Sequence, residues 1–259
     1  MTFSLLKEDP APEGPPLAVE AREIWFGYKS SQAILRGVSL GVKRGEICMI
    51  LGPSGSGKTT FLKVTRGLLM PQRGFLKVLN VELSGPNGGK VGRLGGSLAY
   101  IPQNLGLVRN LTVLDNVLSG ALGRVAAMPS LLGVFPKDAR EEARRLLQTL
   151  GIAHKAGEKV YDISGGARQR VAIARALMQR PQLILGDEFV AHLDSLLTLE
   201  IMDIVKGIAA KGVTFIITSH DLELVSRYGD KAVFLREGRV VRECSAHEVQ
   251  LDWVKAVMQ

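Results

Sequence analysis

A glycine-rich segment with one lysine and a following threonine is the part of the sequence best suited to phosphate chemistry. It reads GPSGSGKT from Gly52 to Thr59 and fits the pattern G-x-x-x-x-G-K-[ST]. Glycines let backbone N–H groups point at phosphate oxygens, Lys58 adds a point charge for the β and γ phosphates, and the Thr59 hydroxyl can bind Mg²⁺. A strand-like apolar run precedes the segment and a helical pattern follows it, as the motif requires. We expect a nucleotide to contact Gly52, Pro53, Ser54, Gly55, Ser56, Gly57, Lys58, Thr59 and Thr60.

A second stretch, LILGDE, places an acidic pair after an apolar run. Residues 183–185 are expected to form a strand, and Asp187 is expected to leave its carboxyl end, where open α/β sheets bind ligands. There Asp187 can hold the water shell of a metal ion, and Glu188 can accept a proton from an attacking water. Such a pair is also common at a solvated loop end. The phosphate loop in the same chain favours the functional interpretation.

The stretch ISGGARQR, residues 163–170, puts two glycines at the start of a helical pattern. Glycine in a helix interior costs roughly 1 kcal/mol, so the pair needs another explanation. Ser164 is a natural N-cap, and Gly165 and Gly166 would leave the first N–H groups of the helix uncovered. A helix start of this kind is suited to binding an anion.

The rest of the chain alternates short strands with helices. The run ICMIL is apolar throughout, as expected for a strand that is covered on both faces. Residues 104–163 change to helical patterns, among them KDAREEARRLLQTLG, in which Asp138 and Glu141 are expected to form a capping box. The segment KAVFLREGRVVRE is expected to be a hairpin that turns at Glu237 and Gly238.

Composition narrows the classes of protein to consider. The chain has 259 residues, of which 46% are hydrophobic and 22% charged, as in a globular protein. It contains no apolar run of membrane-spanning length and no N-terminal segment typical of a signal peptide. Cys48 and Cys244 are the only cysteines, so a reducing cytoplasm is expected. A net charge of +8 fits nucleic acid, an anionic membrane surface, a phosphate-rich ligand or simply a basic solvated surface.

With these motifs the chain resembles the nucleotide-binding subunits of ABC transporters. The motifs that carry the resemblance follow the family's order: Tyr28, the Gly52–Thr59 loop, Gln103 in YIPQNLG, ISGGA, LILGDE and His220 in ITSHD. The resemblance implies an α/β fold, a P-loop NTPase (RecA-like) core with an N-terminal antiparallel β subdomain and an inserted α-helical subdomain. A flexible, proline-rich leader at 1–16 would precede an ATPase domain at 17–259, with the helical insert at about 104–178.

The resemblance also implies roles for single residues. Tyr28 would stack on adenine, with Phe26 as the alternative. Gln103 would contact Mg²⁺ or the attacking water, and it would begin the segment that docks on the permease. His220 would hydrogen-bond the γ-phosphate, while Glu188 would be the catalytic base. The expected ligands of the metal are Thr59, Gln103 and Asp187.

In this family the phosphate loop and the Ser-Gly-Gly helix start of one chain serve different nucleotides. Ser164, Gly165 and Gly166 would meet the γ-phosphate that is bound by the other subunit, and Asp194 would act across the same interface. The resemblance thus implies a head-to-tail homodimer with two ATP sites. Separate integral-membrane permease subunits, and indirectly a solute-binding protein, would complete a transporter to which this subunit binds peripherally at the cytoplasmic face of the inner membrane.

Three positions depart from the family pattern. Ala167 replaces a glutamine and cannot complete a capping box with Ser164, which is expected to cost on the order of 1 kcal/mol of helix-start stability. Phe189 replaces the usual proline, and His192 replaces the usual serine. Because Glu188 and His220 are retained, a working ATPase is still expected, while the effect of the three changes on its rate stays open.

The solute class is suggested by the segment NVLSGALGRVAAMPSLLGVFPKDAREEARRLLQTLGI. It resembles the phosphonate importer ATPases in its order of Leu-Gly-Arg, SLLGxFP and a helix of acidic and basic residues, so a phosphonate or phosphite importer is expected. An ATPase for another small solute, such as a polar amino acid, is the alternative. A DNA-maintenance ABC ATPase is a rival that the charge of +8 mildly favours, but the coiled coils or zinc modules of that class are missing, and no nucleic acid is expected as a partner. A regulatory ATP binder without catalysis is a further alternative, against which Glu188 argues.

Overall fold

A six-stranded sheet forms the centre of the molecule. The computed structural model of the protein describes residues 16–28, 32–84, 94–125, 134–191 and 193–249. The strands are β1 (Leu17–Phe26), β2 (Leu35–Lys43), β3 (Ile47–Leu51), β4 (Arg73–Val78), β5 (Val81–Glu82), β6 (Leu98–Ile101), β7 (Leu183–Asp187), β8 (Thr214–Ser219), β9 (Lys231–Arg236) and β10 (Arg239–Ser245). The helices are α1 (Lys58–Thr65), α2 (Val113–Ser119), α3 (Lys137–Thr149), α4 (Gly165–Leu177), α5 (Ser195–Ala209) and α6 (Leu222–Tyr228). The central sheet has the order β10-β9-β3-β8-β7-β6, and its strands are parallel except for the pair β9 and β10.

Strand β3 lies inside this sheet and is buried along its whole length. Because side chains alternate between the two faces of a strand, Ile47, Met49 and Leu51 enter one hydrophobic core, while Cys48 and Ile50 enter the other. The expectation from ICMIL is confirmed. The strand that leads into the phosphate loop is therefore held by packing on both sides.

The N-terminal strands form a separate antiparallel sheet in the order β2-β1-β4-β5. Val19, Ala21 and Ile24 of β1 are buried, although strict alternation would bury residue 23. The pairing of β1 with β2 shifts between Ala21 and Ile24, and Glu23 has a left-handed φ of 51°. This bulge turns Ile24 back into the core that the sheet shares with β3.

Helices α2, α3 and α4 pack against one another and close the first core. Helix α3 buries Ala139, Ala143 and Leu147 on one face, as the sequence pattern predicts. The predicted capping box is wrong. The helix begins at Lys137 after Pro136, so Asp138 already lies within the first turn and cannot cap it. Its carboxylate instead lies near the positive end of the helix dipole.

The C-terminal strands β9 and β10 form the predicted hairpin. Glu237 and Gly238 connect them with φ values of 48° and 76°, which is the combination of two positive φ angles that a type I′ turn needs. Within the described parts of the chain, no helix is both long and apolar enough to cross a bilayer. Residues 1–15 of the predicted leader, residues 126–133 of the phosphonate-type segment and His192 lie outside the described residues.

Candidate active site

The phosphate loop connects the end of β3 to the start of α1. Gly55 and Gly57 have φ values of 81° and 106°, a conformation that side chains disfavour, and Gly57 occupies the position before the helix. The buried Lys58 donates hydrogen bonds from Nζ to the carbonyl oxygens of Gly52 and Pro53, at 2.8 and 3.3 Å. The loop thus curls around the lysine ammonium group, as a phosphate-binding loop must.

An open cavity of about 420 Å³ lies in front of this loop. Residues 54–60 line it together with Ile34, Gln103 and Glu188. The structure therefore brings most of the predicted loop residues together with two of the three predicted catalytic residues. A cavity of this kind, with a few polar groups that converge on it, is typical of a ligand site.

Asp187 lies at the end of β7 and is almost fully buried. Its Oδ1 accepts hydrogen bonds from the hydroxyls of Thr59 at 3.1 Å and Thr218 at 2.9 Å, and its Oδ2 accepts one from Tyr100 at 3.1 Å. Burial and the negative charge of Asp187 raise the pKa of the Tyr100 hydroxyl far above its usual value. Tyr100 therefore stays a protonated donor to this carboxylate at neutral pH.

The donor set at this corner fits a magnesium ion. Mg²⁺ takes oxygen ligands and is usually held by one or two carboxylates together with water and substrate phosphates. The Thr59 hydroxyl and the Asp187 carboxylate lie side by side beside the phosphate loop. No group of three His, Cys, Asp or Glu side chains arranged to hold a metal occurs in the described part of the chain.

Glu188 follows directly and is the meeting point of the predicted catalytic groups. Its Oε1 lies 2.5 Å from Nε2 of His220 and 3.5 Å from Nζ of Lys58. Its Oε2 accepts a hydrogen bond from Nε2 of Gln103 at 3.3 Å. His220, just beyond the end of β8, also lies 3.4 Å from the Lys58 ammonium group. Three side chains from distant segments thus converge on one carboxylate.

Tyr28 and Phe26 contact each other edge to face, with ring centroids 5.2 Å apart. Phe26 is buried in the core beneath the antiparallel sheet, whereas 59% of Tyr28 is exposed. Only Tyr28 of the two therefore has surface available for stacking on a ligand.

Helix α4 begins as the sequence predicts. Ser164 is the N-cap, and its Oγ accepts a hydrogen bond from the Ala167 N–H at 3.4 Å. The two glycines differ in their surroundings. A Cβ atom on Gly165 would meet only Leu193, at 3.8 Å, whereas one on Gly166 would collide with the side chain of Leu197. A side chain at Gly166 would thus require Leu197 to move, and Gly165 is the position that leaves the helix start open.

Ser164, Gly165, Gly166 and Asp194 do not line the cavity at the phosphate loop. Asp194 is the N-cap of α5, and its carboxylate accepts a hydrogen bond from the Leu197 N–H at 2.9 Å. Within one chain these residues thus lie at the starts of α4 and α5 and not at the cavity of the phosphate loop.

Two departures from the family pattern are buried. Ala167 is almost fully enclosed in the first core. Phe189 packs its ring against Gly186, where an added Cβ would lie 2.6 Å from the ring. The carbonyl oxygen of Phe189 accepts a hydrogen bond from Nε2 of Gln169 on α4, at 2.6 Å. The segment after Glu188 is therefore tied to the helix that carries the Ser-Gly-Gly start.

Sequence reasoning missed Tyr100, Thr218 and Gln169. A signal exists for Thr218, because a hydroxyl within the apolar strand TFIITS must find a hydrogen-bond partner when it is buried. Tyr100 gives no comparable signal, since its partner Asp187 is 87 residues away in the sequence.

The comparisons with known proteins show the family of the chain. The family model described as ABC transporter matches residues 35–191. The chain is 34% identical to the phosphonates import ATP-binding protein PhnC of Treponema denticola over 226 residues, which cover 87% of this chain and 88% of the relative. It is 38% identical to the protein of the same name from Frankia casuarinae over 221 residues, which cover 85% and 87% of the two chains.

Solved structures with the same fold include nucleotide-bound forms. One is the ADP conformation of MJ1267, an ATP-binding cassette of an ABC transporter, with a TM-score of 0.82 and 28% identity over 93% of this chain and 98% of that chain. Another is the dimeric post-hydrolysis state of the ATP-binding cassette MJ0796 bound to ADP and Pi, with a TM-score of 0.77 and 29% identity over 88% and 98% of the two chains. The family match covers the phosphate loop and Glu188, and the chain belongs to the ATP-binding cassette family of ABC transporters.

Proposed function

We propose that this chain is the ATP-hydrolysing subunit of an importer for phosphonates or phosphite-type phosphorus compounds, and that it works as a head-to-tail homodimer on a separate permease. The observation that carries hydrolysis is the convergence of Lys58, Gln103 and His220 on Glu188 at the cavity of the phosphate loop. The solute class rests on the names of the relatives.

ATP binds with its phosphates on residues 52–60, where the backbone amides and the Lys58 ammonium group face the β and γ phosphates. The adenine stacks on the exposed ring of Tyr28. The γ-phosphate then replaces the Glu188 carboxylate as the partner of Lys58. This exchange of one anion for another frees Glu188 to face a water molecule.

Glu188 accepts the proton of the attacking water as general base. Gln103 orients that water through its amide group, and His220 donates a hydrogen bond to the γ-phosphate and holds the geometry of the attack. Orientation and charge stabilisation carry most of the catalysis in phosphoryl transfer. The residues around Glu188 supply both.

The Thr59 hydroxyl, the Asp187 carboxylate through water and the Gln103 side chain would hold Mg²⁺. When bound, the ion would supply positive charge to the phosphates. The Asp187 carboxylate is oriented for this role by its three hydroxyl donors.

The second half of each ATP site comes from the partner subunit. Ser164, Gly165 and Gly166 present uncovered N–H groups at the start of α4, and Asp194 lies near the same interface in the dimer. Dimeric forms of the ATP-binding cassette MJ0796 support this arrangement. ATP favours the closed dimer, and hydrolysis removes the phosphate that joins the halves.

Residues of about 104–178 form the helical subdomain, and the segment that begins at Gln103 docks on the permease at the cytoplasmic face of the membrane. A solute-binding protein delivers the solute to the other side.

The test is ATP hydrolysis by the chain reconstituted with its permease and solute-binding protein in vesicles. We expect hydrolysis to be stimulated by a phosphonate or phosphite and not by polar amino acids. Stimulation by amino acids alone would overturn the solute class while leaving the ATPase intact. Salt-sensitive binding to duplex DNA, without ATP hydrolysis coupled to the permease, would instead favour a DNA-maintenance ABC ATPase.

A further inference from the structure

Thr218 is a fully buried polar residue that no predicted role accounts for. It lies next to last in β8, directly opposite Asp187 in the parallel pair of β7 and β8. In a parallel pair, opposed residues place their side chains on the same face of the sheet. The Thr218 hydroxyl is therefore delivered to the carboxyl end of β7, where the acidic pair leaves the sheet.

This hydroxyl makes two hydrogen bonds in opposite directions. It donates to Oδ1 of Asp187 at 2.9 Å, and it accepts from the backbone N–H of Glu188, also at 2.9 Å. A hydroxyl carries one proton and can both donate and accept. Thr218 thus joins the side chain of the predicted metal ligand to the backbone of the predicted base.

The backbone of Glu188 needs such an anchor. Its φ of 45° lies in the left-handed region, which costs a residue with a side chain roughly 1–2 kcal/mol. Conformations of this kind persist only where the surroundings hold them. At Glu188 the N–H is held by Thr218, the carbonyl oxygen accepts from the Ala191 N–H at 2.9 Å, and the next carbonyl is held by Gln169. The left-handed turn directs the Glu188 side chain from the strand end toward Lys58 and His220.

We infer that Thr218 is a positioning residue for ATP hydrolysis, and that its hydroxyl holds the backbone of Glu188 in the left-handed turn that aims the carboxylate at the attacking water. This inference rests on the proposed role of Glu188. It implies that the loss of the Thr218 hydroxyl affects the base Glu188 more than the proposed metal ligand Asp187. Asp187 keeps Thr59 on Oδ1 and Tyr100 on Oδ2 when Thr218 is lost, whereas the Glu188 N–H loses its bond to Thr218. Removing the hydroxyl should therefore slow the chemical step and leave nucleotide binding intact.

The test uses Thr218→Val, which keeps the shape and β-branching of the side chain, and Thr218→Ser, which keeps the hydroxyl. ATP hydrolysis is measured as kcat and KM, alongside hydrogen exchange of the Glu188 amide by NMR or fragment mass spectrometry. For Thr218→Val we expect kcat to fall about 10- to 100-fold, the loss typical of a misaligned catalytic group, with KM for ATP unchanged and faster exchange at Glu188. Thr218→Ser should recover most of the activity and of the protection.

Two other buried threonines provide matched controls. Thr214 lies on the same strand, and its Oγ accepts a hydrogen bond from the Gly45 N–H at 3.0 Å, but at the opposite end of β8. Thr214→Val therefore removes a hydrogen bond between a buried threonine hydroxyl and a backbone N–H on the same strand without touching Glu188. Thr65 has a buried hydroxyl with no partner among the described residues, so Thr65→Val removes no hydrogen bond and should lower neither stability nor kcat.

The outcomes separate this inference from the proposed function. If Glu188→Gln abolishes turnover but Thr218→Val keeps the wild-type kcat, the inference alone is overturned. The same holds if Thr214→Val lowers kcat as much as Thr218→Val, because the effect would then be one of general stability. If the wild-type chain does not hydrolyse ATP, or if Glu188→Gln turns over normally, both fail together.

Discussion

Nε2 of His220 lies 2.5 Å from Oε1 of Glu188, and the same carboxylate lies 3.5 Å from the Lys58 ammonium group. The groups proposed to face the γ-phosphate thus hold a protein carboxylate in its place. An anion that binds here must compete with Glu188 for Lys58. The site is therefore arranged so that the base is held by the groups that will later bind its substrate.

Glu188→Gln should have two effects at once. Loss of the base should lower kcat by about 10²- to 10⁴-fold, and loss of the competing negative charge should strengthen ATP binding. Turnover, ATP affinity by fluorescence titration and dimer formation by gel filtration in ATP would measure this, with a nucleotide-dependent dimer expected. Glu200→Gln, at an exposed carboxylate paired with Arg170, is the matched control. Normal turnover in Glu188→Gln would mean that another group is the base.

Gly165→Asp should separate ATP binding from hydrolysis. A side chain at Gly165 has room within the chain, so the variant should fold, while a carboxylate at the helix start should repel a phosphate from the partner subunit. We expect ATP to bind the monomer with nearly wild-type affinity, with no dimer and no turnover. Calorimetric titration with ATP and analytical ultracentrifugation would measure the two properties. A folded and fully active Gly165→Asp chain would contradict the shared site.

Gly166→Ala should lower the free energy of unfolding more than Gly165→Ala does. The added Cβ would force the partly buried side chain of Leu197 to move, which is expected to cost up to about 1 kcal/mol, the lower end of the range for overpacking. Gly165→Ala meets only Leu193 at van der Waals distance and should be nearly neutral. Urea unfolding of both variants would compare the free energies of unfolding, and equal values would contradict the assignment of Gly166 to packing.

Gly186 and Phe189 should be energetically coupled. Gly186→Ala would place a Cβ 2.6 Å from the Phe189 ring and is expected to cost about 1–3 kcal/mol in the free energy of unfolding. Adding Phe189→Leu should recover part of that loss, because the shorter side chain makes room for the methyl. A double-mutant cycle by denaturant unfolding measures the coupling. Additive single effects would mean that the contact does not constrain the strand end.

Tyr100 should make stability depend on alkaline pH. Its pKa is raised in the folded chain by burial and by Asp187, while the unfolded chain has a value of about 10. The folded state therefore binds the proton more tightly, so the contribution is complete below about pH 10 and is lost as the pH rises above it. Between pH 8 and a pH above 10, the free energy of unfolding should decrease less for Tyr100→Phe than for the wild type. Identical pH dependence in both proteins would contradict the raised pKa of Tyr100.

The sequence predicted the parts of the fold and site that depend on local pattern. The glycines of the phosphate loop, the apolar run of β3 and the N-cap at Ser164 each show a preference that neighbouring residues alone decide. The bulge at Glu23 and the start of α3 at Lys137 were missed, because register shifts and the exact first residue of a helix depend on tertiary packing. Thr218 and Tyr100 were missed for a related reason, since their importance lies in partners that only the sheet order brings near.

Both faces of strand β3 are covered by hydrophobic cores, and the phosphate loop follows directly from the end of this strand. The two hydrophobic cores pack on opposite faces of this strand. A larger side chain in either core would therefore displace the same five residues and, with them, the first glycine of the phosphate loop. A change in the side-chain volume of one core must therefore be compensated in the other if the phosphate loop is to keep its position. The nucleotide site thus sets a limit on how freely the two halves of the interior can change their volume.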